Sequence, residues 1–387
     1  MPDVSTVDID ALVERSGELK RELLEFSRRP RYSRPFQAAL AAADLGQLST
    51  DEDSLIAVVD RFVLQHRLRN GRTVVEEFVA ARSDLPEPER TMLLGWQDVV
   101  EGVFEVVRRE RDAVVLENLV DELTYRARSN MGAAVLRRMP RRSFVVTRLV
   151  PVGGEWLISG TVGTFAARRR DAVYRFAAQE AMNDPELAFR NPTKLARAWE
   201  LQRADRERFV RFFGSDLVVM AGDEFDDRMR AFREACRSEI AGDRPGPLPP
   251  LVSEYSPDDD AETVGVIYDE DDGLGFYVEF GLVEEVFADP ALLRRRIHRQ
   301  RVLDYLDDDT VPPHVFRRLA ARNEERASAV FRKLLRRPGF DWARDGEELL
   351  RVRKPQAFDL PRRPSISVIP DRLVPYVSRP SFAAGRS

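Results

Sequence analysis

The chain has 387 residues, of which 43% are hydrophobic and 33% are charged, and its formal net charge is −5. This composition excludes an intrinsically disordered chain and is sufficient for two or three domains, each with its own core. The single cysteine excludes an intrachain disulfide and a multi-cysteine zinc site, and no apolar run approaches the ~20 residues of a membrane-spanning helix. The first residues lack the basic start and apolar core of a secretory signal, which predicts a cytoplasmic protein.

The first half of the chain divides into a helical region and a region of strands. Residues 1–98 predict helices, because apolar residues such as Leu12, Leu19 and Leu23 recur at helical spacing. In residues 99–165, apolar and polar residues alternate instead. This alternation predicts five short strands, over 103–107, 113–116, 123–128, 144–150 and 155–165. Because closure removes exposed strand edges, five closely spaced strands favour a small β-barrel-like module.

Beyond this module the pattern predicts a helical segment at 166–240, in which the clearest helix runs from Pro192 to Phe213. A strand at 217–220 and a helix at 224–239 complete this segment. Residues 241–260 are rich in proline and acids and predict a linker, followed by an α+β region at 261–352 that opens with a hairpin. The proline-punctuated residues 353–387 predict an extended tail. The predicted fold class is therefore α+β and helix-rich.

Arginines are concentrated in the predicted barrel. Between Arg126 and Arg170 the sequence holds ten arginines and a single acid, Glu155. Such a surface suits a protein partner, self-association, or docking onto an acidic segment of the same chain, and it also suits nucleic acid, with Tyr125, Phe144 or Trp156 stacking on bases. An ordinary solvated face is the simplest alternative. The residues predicted to bind are Arg137, Arg138, Arg141, Arg142 and Arg148.

Acidic residues are concentrated further along the chain, where 254–293 contain thirteen acids and no lysine or arginine. A calcium loop is disfavoured because Tyr268 occupies its first ligand position. The alternative to a binding protein is a divalent-metal-dependent hydrolase or nuclease. Its predicted ligands are Asp258, Asp260, Asp269 and Asp272, although solvated loop acids are the commoner reason for such a cluster.

No catalytic signature is present in the sequence. There is no phosphate loop, dinucleotide fingerprint, serine elbow or paired-histidine zinc motif, and the three histidines share no metal-ligand spacing. No catalytic residue and no cofactor are predicted. The sequence therefore favours a non-enzymatic interaction protein over an enzyme.

Several segments of the middle region carry a resemblance. Residues 94–97 (LGWQ), 102–106 (GVFEV), 119–125 (LVDELTY) and 156–160 (WLISG) resemble the middle of a group of uncharacterised bacterial proteins. Some members of that group end in a cysteine-rich zinc-binding motif called SEC-C. This chain lacks that motif, and the resemblance implies a structural module without implying an activity.

Overall fold

The structure is a computed structural model, and it describes residues 8–42, 52–241, 261–359 and 361–377. It is a mixed helix and sheet protein, as predicted. The chain forms two compact units. Unit 1 consists of Met1–Asn191 and Ile369–Ser387, and unit 2 consists of Pro192–Val368.

Unit 1 combines a helical layer with a five-stranded sheet. Its α-helices are α1 (Ile9–Ser27), α2 (Pro30–Ala42), α3 (Glu52–Leu64), α4 (Val74–Ala80), α5 (Glu87–Gly95), α6 (Ala133–Arg137) and α7 (Arg170–Asn183). Its strands are β1 (Val100–Arg109), β2 (Val114–Asn118), β3 (Thr124–Arg128), β4 (Phe144–Val152) and β5 (Glu155–Phe165). All five predicted strands are therefore present, whereas the short helix α6 was not predicted.

Every strand of unit 1 has two hydrogen-bonded neighbours, in the order β1, β2, β3, β5, β4 and back to β1. Four of the five pairings are antiparallel, and β3 with β5 is parallel, with Ala127 opposite Trp156. Residues of the sheet form a buried apolar cluster that includes Phe104, Leu116 and Val145, none of them exposed. A second core joins the helices to residues at the β4–β5 end, among them Val152.

Unit 2 contains a three-stranded sheet and the remaining described α-helices. Its strands are β6 (Leu217–Ala221), β7 (Thr263–Asp269) and β8 (Gly273–Val278), all antiparallel in this order. Its α-helices are α8 (Pro192–Phe213), α9 (Gly222–Ala241), α10 (Phe280–Ala288), α11 (Arg296–Asp307), α12 (Pro313–Arg322), α13 (Glu324–Leu334), α14 (Trp342–Arg353) and α15 (Gln356–Asp359). The predicted helix at 192–213 is confirmed.

Alternation along β7 places one core on each face of this sheet. Val264 and Val266 pack with Phe209 of α8 and Phe225 of α9, whereas Ile267 packs with the core of α10 to α14. The sequence predicts a linker at 241–260 between β6 and β7, but these strands are adjacent partners within unit 2. Residues 242–260 themselves lie outside the described residues.

The described part of the predicted extended tail makes specific contacts. Lys354 is buried, and its Nζ donates to the carbonyl oxygens of Tyr305 at 2.8 Å and Asp308 at 2.6 Å. Helix α15 lies within the region predicted to be extended. Further along, within unit 1, Arg372 forms an ion pair with Glu117 of strand β2 at 2.7 Å.

Among the described helices, none combines the length and the apolar composition needed to cross a lipid bilayer.

Candidate functional site

Four of the five arginines predicted to bind lie on the segment that joins β3 to β4. Arg137 ends helix α6, and Arg138, Arg141 and Arg142 follow it. Hydrogen bonds to β1 hold this segment in place: the Arg142 amide donates to Val106 O at 2.8 Å, and the Val106 amide donates to Ser143 O at 2.9 Å. The arginines therefore lie on a connection that is attached to strand β1.

These four residues, here called the arginine quartet, present their charges to solvent. All four are exposed, and within the described part of the chain none forms an ion pair with an acidic side chain. The sequence explains this, because no acid occurs between Glu122 and Glu155. Four guanidinium groups without counter-charges produce a positive potential that attracts acidic surfaces.

Two other arginines of the predicted basic surface, Arg126 and Arg128, are internally neutralised. Arg126 forms ion pairs with Glu110 at 2.7 Å and Asp112 at 3.2 Å, and it also contacts Glu155. Arg128 lies 2.8 Å from Asp112 and 2.6 Å from Glu155. The hydrogen bond from Arg126, followed by that from Arg108, holds the pKa of the Glu110 carboxyl below its ordinary value. The local excess of arginine is thus smaller than the sequence count indicates.

Arg148 does not belong to the exposed surface. It is only 5% exposed, and it donates to Ala57 O at 3.1 Å and to Gln65 Oε1 at 2.9 Å. Its position on β4 directs the side chain toward helix α3, whereas the quartet lies before the strand begins. The prediction that Arg148 binds a partner together with the quartet is therefore corrected.

The aromatic residues predicted to stack on bases are used for packing. Phe144 has no exposed surface, and Tyr125 is 3% exposed and packs edge to face against Trp156 at 5.2 Å between ring centroids. Burial, followed by the hydrogen bond to Asp121, raises the pKa of Tyr125. Phe165, 40% exposed at the end of β5, is paired with Phe144 in the sheet register. A base-stacking surface built from the three predicted residues is therefore not formed.

The acidic segment is brought into contact with a histidine. Asp269 ends strand β7, Asp272 lies in the following turn, and His314 is near the start of α12. His314 Nδ1 lies 2.6 Å from Asp272 Oδ2 and 4.0 Å from Asp269 Oδ2. One ligand atom from each of these residues, here called the acid–histidine cluster, lies within 4.8 Å of the other two. Asp258 and Asp260 lie outside the described residues.

Neighbouring side chains orient this cluster. The Tyr277 hydroxyl lies 3.3 Å from His314 Nε2, so the ring is held at both nitrogens. Arg318 donates to Asp269 Oδ2 at 2.9 Å and to Asp216 Oδ2 at 2.6 Å. Burial raises the pKa of Asp269, but the charge of His314 and the hydrogen bond from Arg318 outweigh it and hold this pKa below its ordinary value. Asp269 is therefore ionised at neutral pH.

The members of this arrangement that sequence reasoning missed include His314 and Arg318, both on helix α12. His314 is 42 residues from Asp272, and no metal-ligand spacing connects them. The segment that contains both residues has apolar residues at helical spacing. In such a pattern, a histidine or an arginine looks like any polar residue on the exposed side of a helix. No signal in a single sequence links α12 to the β7–β8 turn.

No protein-family model, curated protein or solved structure matches this chain. The resemblance to the SEC-C-bearing group therefore stays a prediction.

Proposed function

We propose that this chain is a non-enzymatic binding protein that holds an acidic macromolecular partner against the arginine quartet. The observation that supports this function is the contrast among the arginines of unit 1. Arg126 and Arg128 are neutralised by acids of the same unit, whereas the quartet is exposed and unpaired within the described residues. Guanidinium groups form paired hydrogen bonds with carboxylates and phosphates, which suits them to this role.

We further infer that the five-stranded sheet is a small β-barrel that serves as the rigid support of the quartet, in a protein of the cytoplasm. A partner of acidic polypeptide is favoured over nucleic acid, because the three aromatic residues predicted to stack on bases are occupied in packing.

The test measures the binding of labelled poly-glutamate and of labelled single- and double-stranded DNA to the full chain over a salt series. Replacing Arg137, Arg138, Arg141 and Arg142 by Gln is expected to lower the affinity for poly-glutamate by about ten-fold or more, because the guanidinium contacts are lost. The affinity of the wild type should weaken with rising salt. Since the quartet is exposed, circular dichroism and melting temperature should stay unchanged.

A matched control replaces four exposed arginines that already have acidic neighbours, and it changes the net charge equally: Arg197, Arg211, Arg230 and Arg237 to Gln. This control should bind poly-glutamate like the wild type. Equal losses in both variants would show that only net charge matters and would refute the proposal. If the wild type binds DNA tightly and does not bind poly-glutamate, the partner is a nucleic acid and the proposal of an acidic polypeptide is wrong.

A second candidate function, divalent-metal binding in unit 2, is favoured by the acid–histidine cluster. One imidazole nitrogen and two carboxylate oxygens suit Zn²⁺ or Mn²⁺, and the Tyr277 hydroxyl would hold the second ring nitrogen, as is usual for a metal-ligating histidine. Arg318 opposes this function because its charge lies beside Asp269. The hydrolase alternative depends on this metal.

Calorimetric titration of the full chain with Zn²⁺ and with Mn²⁺ tests this candidate. Wild-type protein should bind one equivalent, and Asp272→Asn should lower the affinity by about ten-fold or more, because one charged ligand is lost. Asp272 is half exposed, so this variant keeps its fold. A His66→Gln variant is the control, since His66 stacks on Phe62 in unit 1. No binding by the wild type, or identical binding by Asp272→Asn, would exclude the site.

A further inference from the structure

Unit 1 contains a cavity of about 360 Å³ between helix α1 and strands β4 and β5. Its walls are of two kinds. Val150, Leu157 and Ile158 form an apolar wall, and Lys20 and Trp96 contribute polar hydrogens. Arg21 and Met131, both exposed, also line it, so the cavity is open to solvent on that side. This combination of an apolar wall and a few polar groups is typical of small-molecule sites.

Lys20 is the buried charged group of the cavity wall. Lys20 Nζ is buried and lies 2.9 Å from Asp60 Oδ1, and Arg148 is close enough that its charge repels Lys20. Burial, together with Arg148, holds the pKa of Lys20 below its ordinary value although Asp60 raises it. Arg148 has its own acidic neighbour, Glu101, whose carboxylate lies 3.4 Å from Arg148 Nε. Among the described residues, the buried Lys20 Nζ thus has three N–H donors and one acidic neighbour, Asp60, and buried donors that lack acceptors are costly.

Trp96 adds a donor that lacks an acceptor. The residue is 1% exposed, and its Nε1 is buried without a hydrogen-bond partner among the described residues. Buried indole N–H groups normally have an acceptor. Lys20 Nζ lies 5.8 Å from the centre of the Trp96 ring, so the cation and the indole belong to the same part of the cavity wall. A ligand that brings both a negative charge and acceptor oxygens would satisfy these groups together.

We propose that this cavity binds a small carboxylic acid with an apolar body, whose carboxylate lies beside Lys20 and whose body lies against Val150, Leu157 and Ile158. The volume lies near the lower end of the range for ligand pockets, about 300–1,000 Å³, which suits a ligand with a single ring or a short chain. This site does not depend on the arginine quartet or on its partner.

Two substitutions test the cavity by different means. Lys20→Met removes the cation. Gly17→Leu fills the cavity: an added Cβ at Gly17 lies 3.5 Å from the nearest atom, Asn130 Nδ2, which is ordinary contact. Leucine also has a higher helix propensity than glycine, so this second variant should fold even if the first does not. Lys333→Met, an exposed position in unit 2, is the matched control.

The measurement is calorimetric titration of the full chain with 3-phenylpropionate and with its uncharged analogue 3-phenylpropanamide. Wild type and Lys333→Met should bind the carboxylate at least ten-fold more tightly than the amide. Lys20→Met should remove this difference, and Gly17→Leu should abolish binding of both compounds. The inference is overturned if the wild type binds neither compound, if it binds both equally, or if Gly17→Leu binds like the wild type.

Discussion

Replacing Arg318 by methionine is expected to lower the free energy of unfolding of the chain by about 2–3 kcal/mol at neutral pH. Arg318 bridges Asp216 and Asp269, and its removal leaves Asp269 without its guanidinium partner and Asp216 with Arg206 alone, at 2.9 Å. A fully buried pair costs about 3–5 kcal/mol when one partner is removed. We expect the smaller loss of about 2–3 kcal/mol because the side chains of Arg318, Asp216 and Asp269 are 14 to 27% exposed and so are partly screened by solvent. Urea denaturation followed by tryptophan fluorescence measures this loss.

The neighbouring Arg317 supplies the control for this prediction. It forms a paired contact with Glu347 at 2.6 and 2.8 Å, but both side chains are more than one third exposed. Exposed ion pairs contribute about 0–1 kcal/mol, so Arg317→Met should cost less than 1 kcal/mol. If the two variants lose equal stability, the bridge made by Arg318 is not the reason for the effect.

The effect of Arg318→Met should also depend on pH. The carboxyl pKa values of Asp216 and Asp269 are lowered, because Arg318 and its neighbours outweigh the opposing effect of burial. A lowered pKa contributes stability above the pKa of the unfolded chain, about 3.9, and this stability is lost as pH falls through the folded value. The difference between wild type and Arg318→Met should therefore shrink below about pH 4. If the difference in unfolding free energy between the two proteins does not change with pH, the loss of stability comes from packing and not from the ion pairs.

Replacing Phe331 by alanine is expected to cost about 3–5 kcal/mol. Phe331 has no exposed surface and lies at the centre of an aromatic cluster in unit 2, with Phe340 at 5.5 Å and a stacked Trp342 at 5.1 Å between ring centroids. Alanine leaves a cavity among rigid rings, which relax little. The loss is measured by urea denaturation, and Trp342 fluorescence should change in the folded state.

Phe331→Leu separates cavity formation from the loss of aromatic stacking. Leucine fills much of the same space, so this variant should lose about 1.5 kcal/mol or less. A loss below 1 kcal/mol for the alanine variant would contradict the central position of Phe331 in this core.

Local periodicity was sufficient to place many elements of the chain. The helix at 192–213 was predicted from a proline in its first turn, a glycine beyond its end and apolar residues at helical spacing, all of which act within a few residues. The five strands of unit 1 were predicted from alternation and β-branched residues. The arginine quartet was also visible, because the absence of acids between Glu122 and Glu155 is a property of the sequence itself.

Three features depended on contacts between distant residues. Strand β6 was predicted, but its pairing with β7 was not, because the two strands are separated by helix α9 and the predicted linker. Arg148 was assigned to the surface, and only the packing of helix α3 against the sheet buries it. The cavity beside Lys20 was not anticipated, since its walls come from distant parts of the chain, α1, Trp96, β4 and β5.

The sequence by itself determined the mixed helix and sheet class, the position of most elements and the segregation of charge, because these follow from short-range preferences and composition. Only the tertiary structure decided which arginines are neutralised, which acids meet His314 and where Lys20 and Trp96 line one cavity. Pairing of charges depends on distances of a few ångströms between residues far apart in the chain, and a linear pattern carries no measure of those distances.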